Sequence, residues 1–136
     1  MNNPITFFLI DDDPDDQEFF MEAINEVDGS MKCFFANNCE EALKSLKNEV
    51  IKPDYIFLDL NMPKVDGKTC LAEIKKMAKL SHIPVIIYST SSLKRDIEET
   101  KLLGAVHFLT KPSAFKELCA AISTILSKEF TKGLTN

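Results

Sequence analysis

Short apolar runs alternate with amphipathic segments along most of the chain. Five runs of four to six residues are rich in β-branched and aromatic residues and are bounded by polar ones. Such runs are typical of strands buried on both faces of a parallel sheet. The pattern predicts strands at residues 5–10, 32–36, 55–58, 85–89 and 106–110.

The segment after the first run carries apolar residues at helical spacing as far as Val27. We expect this helix to begin at Pro14 with Asp13 as its N-cap, because proline suits the first helical position and aspartate caps well. Asp15 and Asp16 fall in the first turn, where they favour the positive end of the helix dipole.

The next two helices also have recognisable starts. Asn38 and Glu41 have the spacing of a capping box at the beginning of the second helix. The third helix follows an Asp66-Gly67 turn, and its apolar face extends to Ala78.

The last two helices differ in their apolar character. The fourth, at about residues 93–103, has a thin apolar stripe, whereas the fifth has a strong stripe over residues 115–126. Ser113 is expected to cap the fifth helix.

Five strands that alternate with helices imply an α/β fold, with a parallel sheet covered on both faces. Right-handed crossovers leave few topologies. Among these we expect the doubly wound, flavodoxin-like sheet with strand order 2-1-3-4-5, in which strands 1 and 3 lie side by side at the ligand-binding edge. At 136 residues the chain is expected to be one domain, residues 1–136, with its core at about 5–128 and with no output domain.

The composition, with 45% apolar and 27% charged residues, is that of a globular protein. A net charge of −5 without a long basic run argues against nucleic-acid binding. No apolar run reaches transmembrane length, and no signal-like segment opens the chain. We therefore expect a cytoplasmic protein with no membrane insertion, whose four cysteines stay reduced.

Chemically active side chains follow four of the predicted strands. Asp11 and Asp12 come after the first strand, Asp59 after the third, Ser89 ends the fourth and Lys111 follows the fifth. Asp59 alone could equally cap the next turn, but the predicted sheet brings all five residues to one rim.

Three carboxylates about 5 Å apart repel one another by about 3 kcal/mol per pair at an effective dielectric constant near 20. Such a cluster persists only if something positive joins it or if some of the carboxylates take up protons. A hard divalent cation with oxygen ligands fits, and Mg²⁺ is the abundant one in the cytosol. A carboxylate, a metal ion, a lysine and a hydroxyl together suit phosphoryl transfer onto the carboxylate.

With these residues in place, the sequence resembles the receiver domain of bacterial response regulators. The resemblance rests on Asp11-Asp12, on the segment 59–67, on Ser89 and on Lys111-Pro112, and it covers about residues 5–126. It implies a phosphoacceptor signalling domain of a two-component or phosphorelay system rather than an enzyme with a separate substrate. Asp59 would accept a phosphoryl group from a sensor histidine kinase or a histidine phosphotransfer protein.

The resemblance also implies a metal site. Asp12 would bind Mg²⁺ directly and Asp11 through water. Asp59 and the backbone carbonyl of Asn61 would be the remaining protein ligands.

The resemblance also implies a conformational switch. Ser89 and Lys111 would contact the phosphoryl oxygens, so that phosphorylation draws Ser89 inward and moves the loop 90–92 and the fourth helix. Phe108 stands where many members of the family carry a switch tyrosine, and it lacks the hydroxyl. The output face would be the fourth helix, the fifth strand and the fifth helix. It would dock an unidentified protein, unless the domain passes its phosphoryl group onward; homodimerisation on phosphorylation is left open.

Two other functions would place a site at the same strand ends. A Mg²⁺-dependent aspartyl-phosphate phosphatase also has a carboxylate nucleophile, but it usually has a second aspartate two residues later, where this chain has Asn61. A flavodoxin-like flavin binder would need a phosphate-binding loop after the first strand, where this chain has Asp11 and Asp12.

Overall fold

The computed structural model describes residues 4–128, in which the predicted succession of five strands and five helices is confirmed. The strands are β1 (Thr6–Ile10), β2 (Lys32–Ala36), β3 (Tyr55–Leu58), β4 (Val85–Ser89) and β5 (His107–Thr110). The helices are α1 (Pro14–Val27), α2 (Cys39–Lys47), α3 (Gly67–Lys76), α4 (Lys94–Leu102) and α5 (Phe115–Ser127). All strand pairs are parallel, in the order β2-β1-β3-β4-β5. The predicted topology is therefore confirmed.

Two apolar cores lie on opposite faces of the sheet. One packs α2 and α3 against the sheet, and the other packs α1 and α5. Phe20 lies between Phe57 and Tyr88 in the second core, with ring centroids 4.8 and 5.4 Å away. The central strands β1, β3 and β4 are almost wholly buried. Their carboxyl ends therefore form a rigid rim.

The helix α4 is the most weakly anchored of the described helices. Of its nine residues only Thr100 is buried, which agrees with its thin apolar stripe. A helix held by so few apolar contacts moves at low energetic cost.

The predicted starts of the first two helices are largely confirmed. The Asp13 side chain accepts a hydrogen bond from the Asp15 backbone N–H at the start of α1. The Asn38 side chain accepts one from the Glu41 N–H at the start of α2. The Glu41 carboxylate accepts a hydrogen bond from Asn37 rather than from the capping residue, so the capping box is displaced by one residue.

Three local predictions on the later helices are wrong. Asp66 is the N-cap of α3 and Gly67 is its first residue, so the two do not form a separate turn. Ala78 lies beyond α3, because the extended backbone of Met77 ends that helix. Ser113 does not cap α5, whose N-cap position is Ala114, one residue further on.

The expectation of four reduced cysteines is also wrong for one pair, since Cys39 and Cys70 are joined by a disulfide. Both residues are buried near the starts of α2 and α3, with their Cα atoms 5.7 Å apart, a normal separation for a disulfide. Cys33 and Cys119 are free. A spacing of 31 residues gives no signal of such a pairing in the sequence.

Within residues 4–128, every helix is too short or too polar to cross a bilayer.

Candidate functional site

The strand register brings Asp11 and Asp59 side by side. Ile10 pairs with Leu58 across β1 and β3, and each aspartate follows one of these residues. The Asp59 backbone N–H donates to the Ile10 carbonyl at 3.0 Å, so the ladder extends to the site itself. Buried strands therefore set the separation of the two carboxylates.

A cluster of three carboxylates forms at this rim, as predicted. Oxygen atoms of Asp11, Asp12 and Asp59 all lie within 4.8 Å of one another. Asp11 is 0% and Asp59 5% exposed, whereas Asp12 is exposed. The pocket thus combines two buried acids with one that faces solvent.

Burial changes the acidity of the two inner carboxyls. The pKa of Asp59 is raised to about 6, mainly by desolvation; the charge of Lys111 opposes this rise, and the charges of Asp11 and Asp12 add to it. The pKa of Asp11 is also raised by desolvation, against hydrogen bonds from the Asp13 N–H and from Lys111. Both shifts show that negative charge is costly here, so a bound cation would lower both pKa values.

The donor set of this cluster fits a hard divalent cation. All three side chains offer carboxylate oxygens, the ligand type that Mg²⁺ and Mn²⁺ prefer. At 4.8 Å each pair of charges repels by about 3 kcal/mol at an effective dielectric constant near 20, and a divalent ion would reverse this repulsion.

Lys111 reaches into the same pocket, as predicted. Its Nζ donates to Asp11 Oδ2 at 2.9 Å and lies 3.7 Å from Asp59 Oδ2. It also lies 5.3 Å from the ring centroid of Tyr88. Burial alone would lower the pKa of Lys111, but its hydrogen bonds with carboxylates raise the pKa above the ordinary value. The lysine is therefore a fixed positive charge.

The sequence did not reveal one partner of this lysine. Lys111 Nζ also donates to Asp16 Oδ2 at 2.7 Å, the shortest of its three carboxylate contacts. The sequence pattern assigns Asp16 only to the positive end of the helix dipole. Its position in the first turn of α1 was the available signal, because α1 begins directly beside the rim.

Ser89 is buried at the end of β4 and faces the loop that precedes α4. Its Oγ accepts a hydrogen bond from the Ser91 N–H at 3.2 Å. Its carbonyl accepts one from the Lys111 backbone N–H at 2.7 Å, which links the end of β4 to the lysine.

The segment between β3 and α3 is held tightly around Asp59. The Asn61 N–H donates to Asp59 Oδ1 at 3.3 Å. Lys64 has a positive φ of 69°, in a γ-turn closed by the Val65 N–H and the Pro63 carbonyl. A Cβ on Gly67 would lie 2.6 Å from the Leu60 Cα and closer still to the Asp59 carbonyl oxygen, so this contact requires glycine.

A polar network connects this region to α4. The Ser91 hydroxyl donates to Asp96 Oδ2 at 2.6 Å. Lys68, in the first turn of α3, donates to Asp96 Oδ1 at 2.7 Å and also pairs with Glu99. These contacts join the Ser89 loop, α3 and α4.

Phe108 is half-buried on β5. It packs against the core on the α3 side and lines a cleft of about 510 Å³ between α4 and β5. Exposed apolar side chains lie on α4, directly after it and before β5: Ile97, Leu102, Leu103 and Val106. The predicted output face therefore offers an apolar surface.

Comparison with known proteins identifies relatives along most of the chain. The family model for the response regulator receiver domain matches residues 7–123. The probable C4-dicarboxylate response regulator DctR of Bacillus subtilis (strain 168) is 39% identical over 114 residues, which make up 84% of this chain and 49% of that protein. The chain thus spans about half the length of this relative.

Solved structures show the same similarity. The phosphorylated cyanobacterial phytochrome response regulator RcpA has a TM-score of 0.84 at 30% identity, covering 94% of this chain and 98% of that one. The Mn(2+)-bound form of response regulator Rcp1 has a TM-score of 0.83 at 27% identity, covering 94% and 99%.

Proposed function

Because this chain belongs to the family of response regulator receiver domains, the phosphoacceptor signalling domains of two-component systems, we propose that Asp59 is its phosphoacceptor. Asp59 stands at the end of a buried central strand, with a lysine ammonium 3.7 Å from its Oδ2. Asp11 is more buried and uses both oxygens, one for the Asp13 N–H and one for Lys111. Asp59 is therefore the freer inner carboxylate.

The reaction is a displacement at phosphorus. A carboxylate oxygen of Asp59 forms a bond to the phosphorus of a phosphohistidine, and the P–N bond of the donor breaks. The bonding electron pair returns to the imidazole, which takes up a proton. Lys111 is already placed to bind an oxygen of the transferred group, because its Nζ faces Asp59.

A divalent metal ion fits this site, and we propose Mg²⁺. Asp12 and Asp59 would bind it through carboxylate oxygens, Asp11 through water and Asn61 through its backbone carbonyl. When bound, the ion supplies positive charge that offsets the acids and the phosphoryl oxygens. The Mn²⁺ in the solved relative Rcp1 supports a divalent ion in this family.

Ser89 is proposed as the switch that detects the phosphoryl group. A phosphoryl group adds acceptor oxygens, and the buried Ser89 hydroxyl would turn to donate to one of them. The loop carrying Ser91 would move with it, and its hydrogen bond to Asp96 on α4 would shift. Phe108 would adjust its rotamer beside the cleft.

The signal would then leave through α4, β5 and α5. Phosphorylation shifts a population between two states, and the weakly anchored α4 is the element that moves at the lowest cost. We propose that this face docks a protein partner, or that the domain passes its phosphoryl group onward. We further propose that residues 1–136 work as a single receiver domain in the cytoplasm, phosphorylated by a sensor histidine kinase or a histidine phosphotransfer protein.

The observation that carries this proposal is the meeting of Asp11, Asp12, Asp59 and Lys111 in one pocket. The test is incubation with acetyl phosphate and Mg²⁺, followed by intact-mass measurement. We expect one acid-stable, base-labile phosphoryl adduct that requires Mg²⁺ and is absent from Asp59→Asn. Asp54→Asn is the matched control, because Asp54 precedes β3 as Asp59 follows it.

Each rival predicts a different result in the same assay. Rapid turnover of unrelated phosphoesters would indicate a phosphatase, and bound flavin in the purified protein would indicate a flavodoxin-like role. Neither rival is favoured, because Asp11 and Asp12 occupy the place where a flavin phosphate would bind and Asn61 replaces the second aspartate of the phosphatases. An adduct that persists in Asp59→Asn would contradict the proposal.

A further inference from the structure

Asp16 is the partner of Lys111 that the proposed mechanism does not use. Its Oδ2 lies 2.7 Å from Lys111 Nζ, whereas Asp59 Oδ2 lies 3.7 Å away. We propose that Asp16 is a positioning residue that competes with the phosphoryl group on Asp59 for the lysine ammonium, and so limits how readily the site is phosphorylated. This inference rests on the proposed function.

The position of the ammonium group makes Asp16 and a phosphoryl group on Asp59 compete for it. Lys111 has three N–H donors, and Asp11 and Asp16 each occupy one. Asp59, at 3.7 Å, is beyond hydrogen-bond distance. The third donor remains available to a phosphoryl group on Asp59, but Nζ is held toward α1, and a closer approach to that group lengthens its contact with Asp16.

Asp16 is the acceptor that can yield. Asp11 is fully buried, and its second oxygen is already bonded to the Asp13 N–H. The Asp16 side chain is 32% exposed, so water can replace the ammonium there. Releasing Asp16 therefore costs less than releasing Asp11, which would leave a buried carboxylate without its counter-charge.

Asp16 acts through the lysine rather than through the metal. Within residues 4–128, the acidic group able to hold a metal ion consists of Asp11, Asp12 and Asp59. Asp16 is not a member of this group. Its link to the group runs through Lys111 Nζ, which contacts both Asp16 and Asp11. Its removal should change the reach of Lys111 and leave the metal ligands in place.

The test compares two neutral variants of the full chain that carry the same net charge. Asp16→Asn removes the competitor, and Asp15→Asn removes an exposed charge in the same helical turn, for which no ion pair occurs within residues 4–128. Each protein is given acetyl phosphate with Mg²⁺, and the rate of adduct formation on Asp59 is followed by intact mass. We expect Asp16→Asn to react about three- to fivefold faster than wild type, the effect of a partly exposed ion pair, and Asp15→Asn to match wild type.

Two further measurements distinguish a role of Asp16 in positioning Lys111 from a general effect of the substitution on the structure. One is the rate of a conservative variant, and the other is the NMR signal of the lysine. Asp16→Glu keeps the charge and should restore a rate within about twofold of wild type. The ¹⁵N resonance of the Lys111 ammonium should shift in Asp16→Asn and stay in place in Asp15→Asn. If Asp16→Asn folds poorly by circular dichroism, Asp16→Ser replaces it under the same expectation.

The outcomes distinguish this inference from the proposed function. A wild-type protein that gains no adduct on Asp59 would overturn both. If the wild type is phosphorylated and Asp16→Asn reacts at the same rate or more slowly, the competition by Asp16 is overturned but the proposed function is not. A faster rate that Asp16→Glu does not reverse would likewise contradict a role for the Asp16 charge.

Discussion

Neutralising the phosphoacceptor should stabilise the fold when no metal is present. Asp59 is buried, and its pKa is raised from 3.8 to about 6, mainly by desolvation, with opposition from Lys111. The folded protein therefore binds more protons than the unfolded chain between these two values. Stability must fall as the pH rises through this window, and near neutral pH the ionised Asp59 destabilises the fold.

The size of this destabilisation follows from the pKa shift of Asp59. One pKa unit corresponds to about 1.4 kcal/mol, so a rise from 3.8 to about 6 corresponds to about 3 kcal/mol. The variant Asp59→Asn removes this cost. Its buried amide has a smaller desolvation cost of its own, and it can still accept from the Asn61 N–H. We therefore expect the free energy of unfolding to rise by about 1–3 kcal/mol near neutral pH with a chelator present.

Urea unfolding followed by far-ultraviolet circular dichroism measures this difference directly. The gap between Asp59→Asn and wild type should close as the pH falls toward about 4, where wild-type Asp59 becomes protonated. Added Mg²⁺ should stabilise the wild type more than the variant, because it binds the folded acidic pocket. Asp15→Asn, an exposed change in the first turn of α1, should show no gain.

Two results would refute this reasoning. The first is an Asp59→Asn variant that is less stable than wild type near neutral pH without metal, because the carboxylate would then be a net stabilising group. A gain that did not depend on pH between about 4 and 7 would show that ionisation of Asp59 is not its cause.

Three further predictions test the surroundings of the site. Gly67→Ala should lower the free energy of unfolding by about 1–3 kcal/mol, because its Cβ would collide with the backbone that carries the phosphoacceptor; unchanged stability in urea would contradict this close contact. In denaturant without reductant, two of the four cysteines should react with a thiol reagent, since Cys39 and Cys70 are bonded to each other, whereas four reactive thiols would contradict the pairing. Ser91→Ala should speed amide hydrogen exchange in α4, because it removes the hydrogen bond to Asp96 that fixes the start of that helix; equal exchange in the two proteins would show that this bond does not hold α4.

The fold and the meeting of the main site residues could be predicted because both depend on strand ends. A buried strand is marked by an apolar run, and its end by the first charged residue, as at Leu58 and Asp59. Once the strand order is inferred, the parallel register places the end of β1 beside that of β3 without knowledge of any side-chain conformation. The convergence of Asp11 and Asp59 follows from that placement, whereas Lys111 reaches them from the end of β5 through its long side chain.

The features that could not be predicted depend on side-chain positions between elements. The pairing of Lys111 with Asp16 requires the entry angle of α1, which the sequence pattern leaves open. The disulfide requires the first turns of α2 and α3 to face each other across one core. Ser113 has the right chemistry for a cap, but α5 begins one residue too late for its hydroxyl to be used.

The most direct test of the central claim is to locate the phosphoryl group at residue level. The protein is treated with acetyl phosphate and Mg²⁺, the acyl phosphate is reduced with borohydride, and the peptides are sequenced by mass spectrometry. We expect the modification to fall on Asp59 and to require Mg²⁺. Lys111→Ala should lose more of the modification than Lys116→Ala does. Modification of another carboxylate, or equal labelling of Asp59 without a divalent ion, would contradict the central claim.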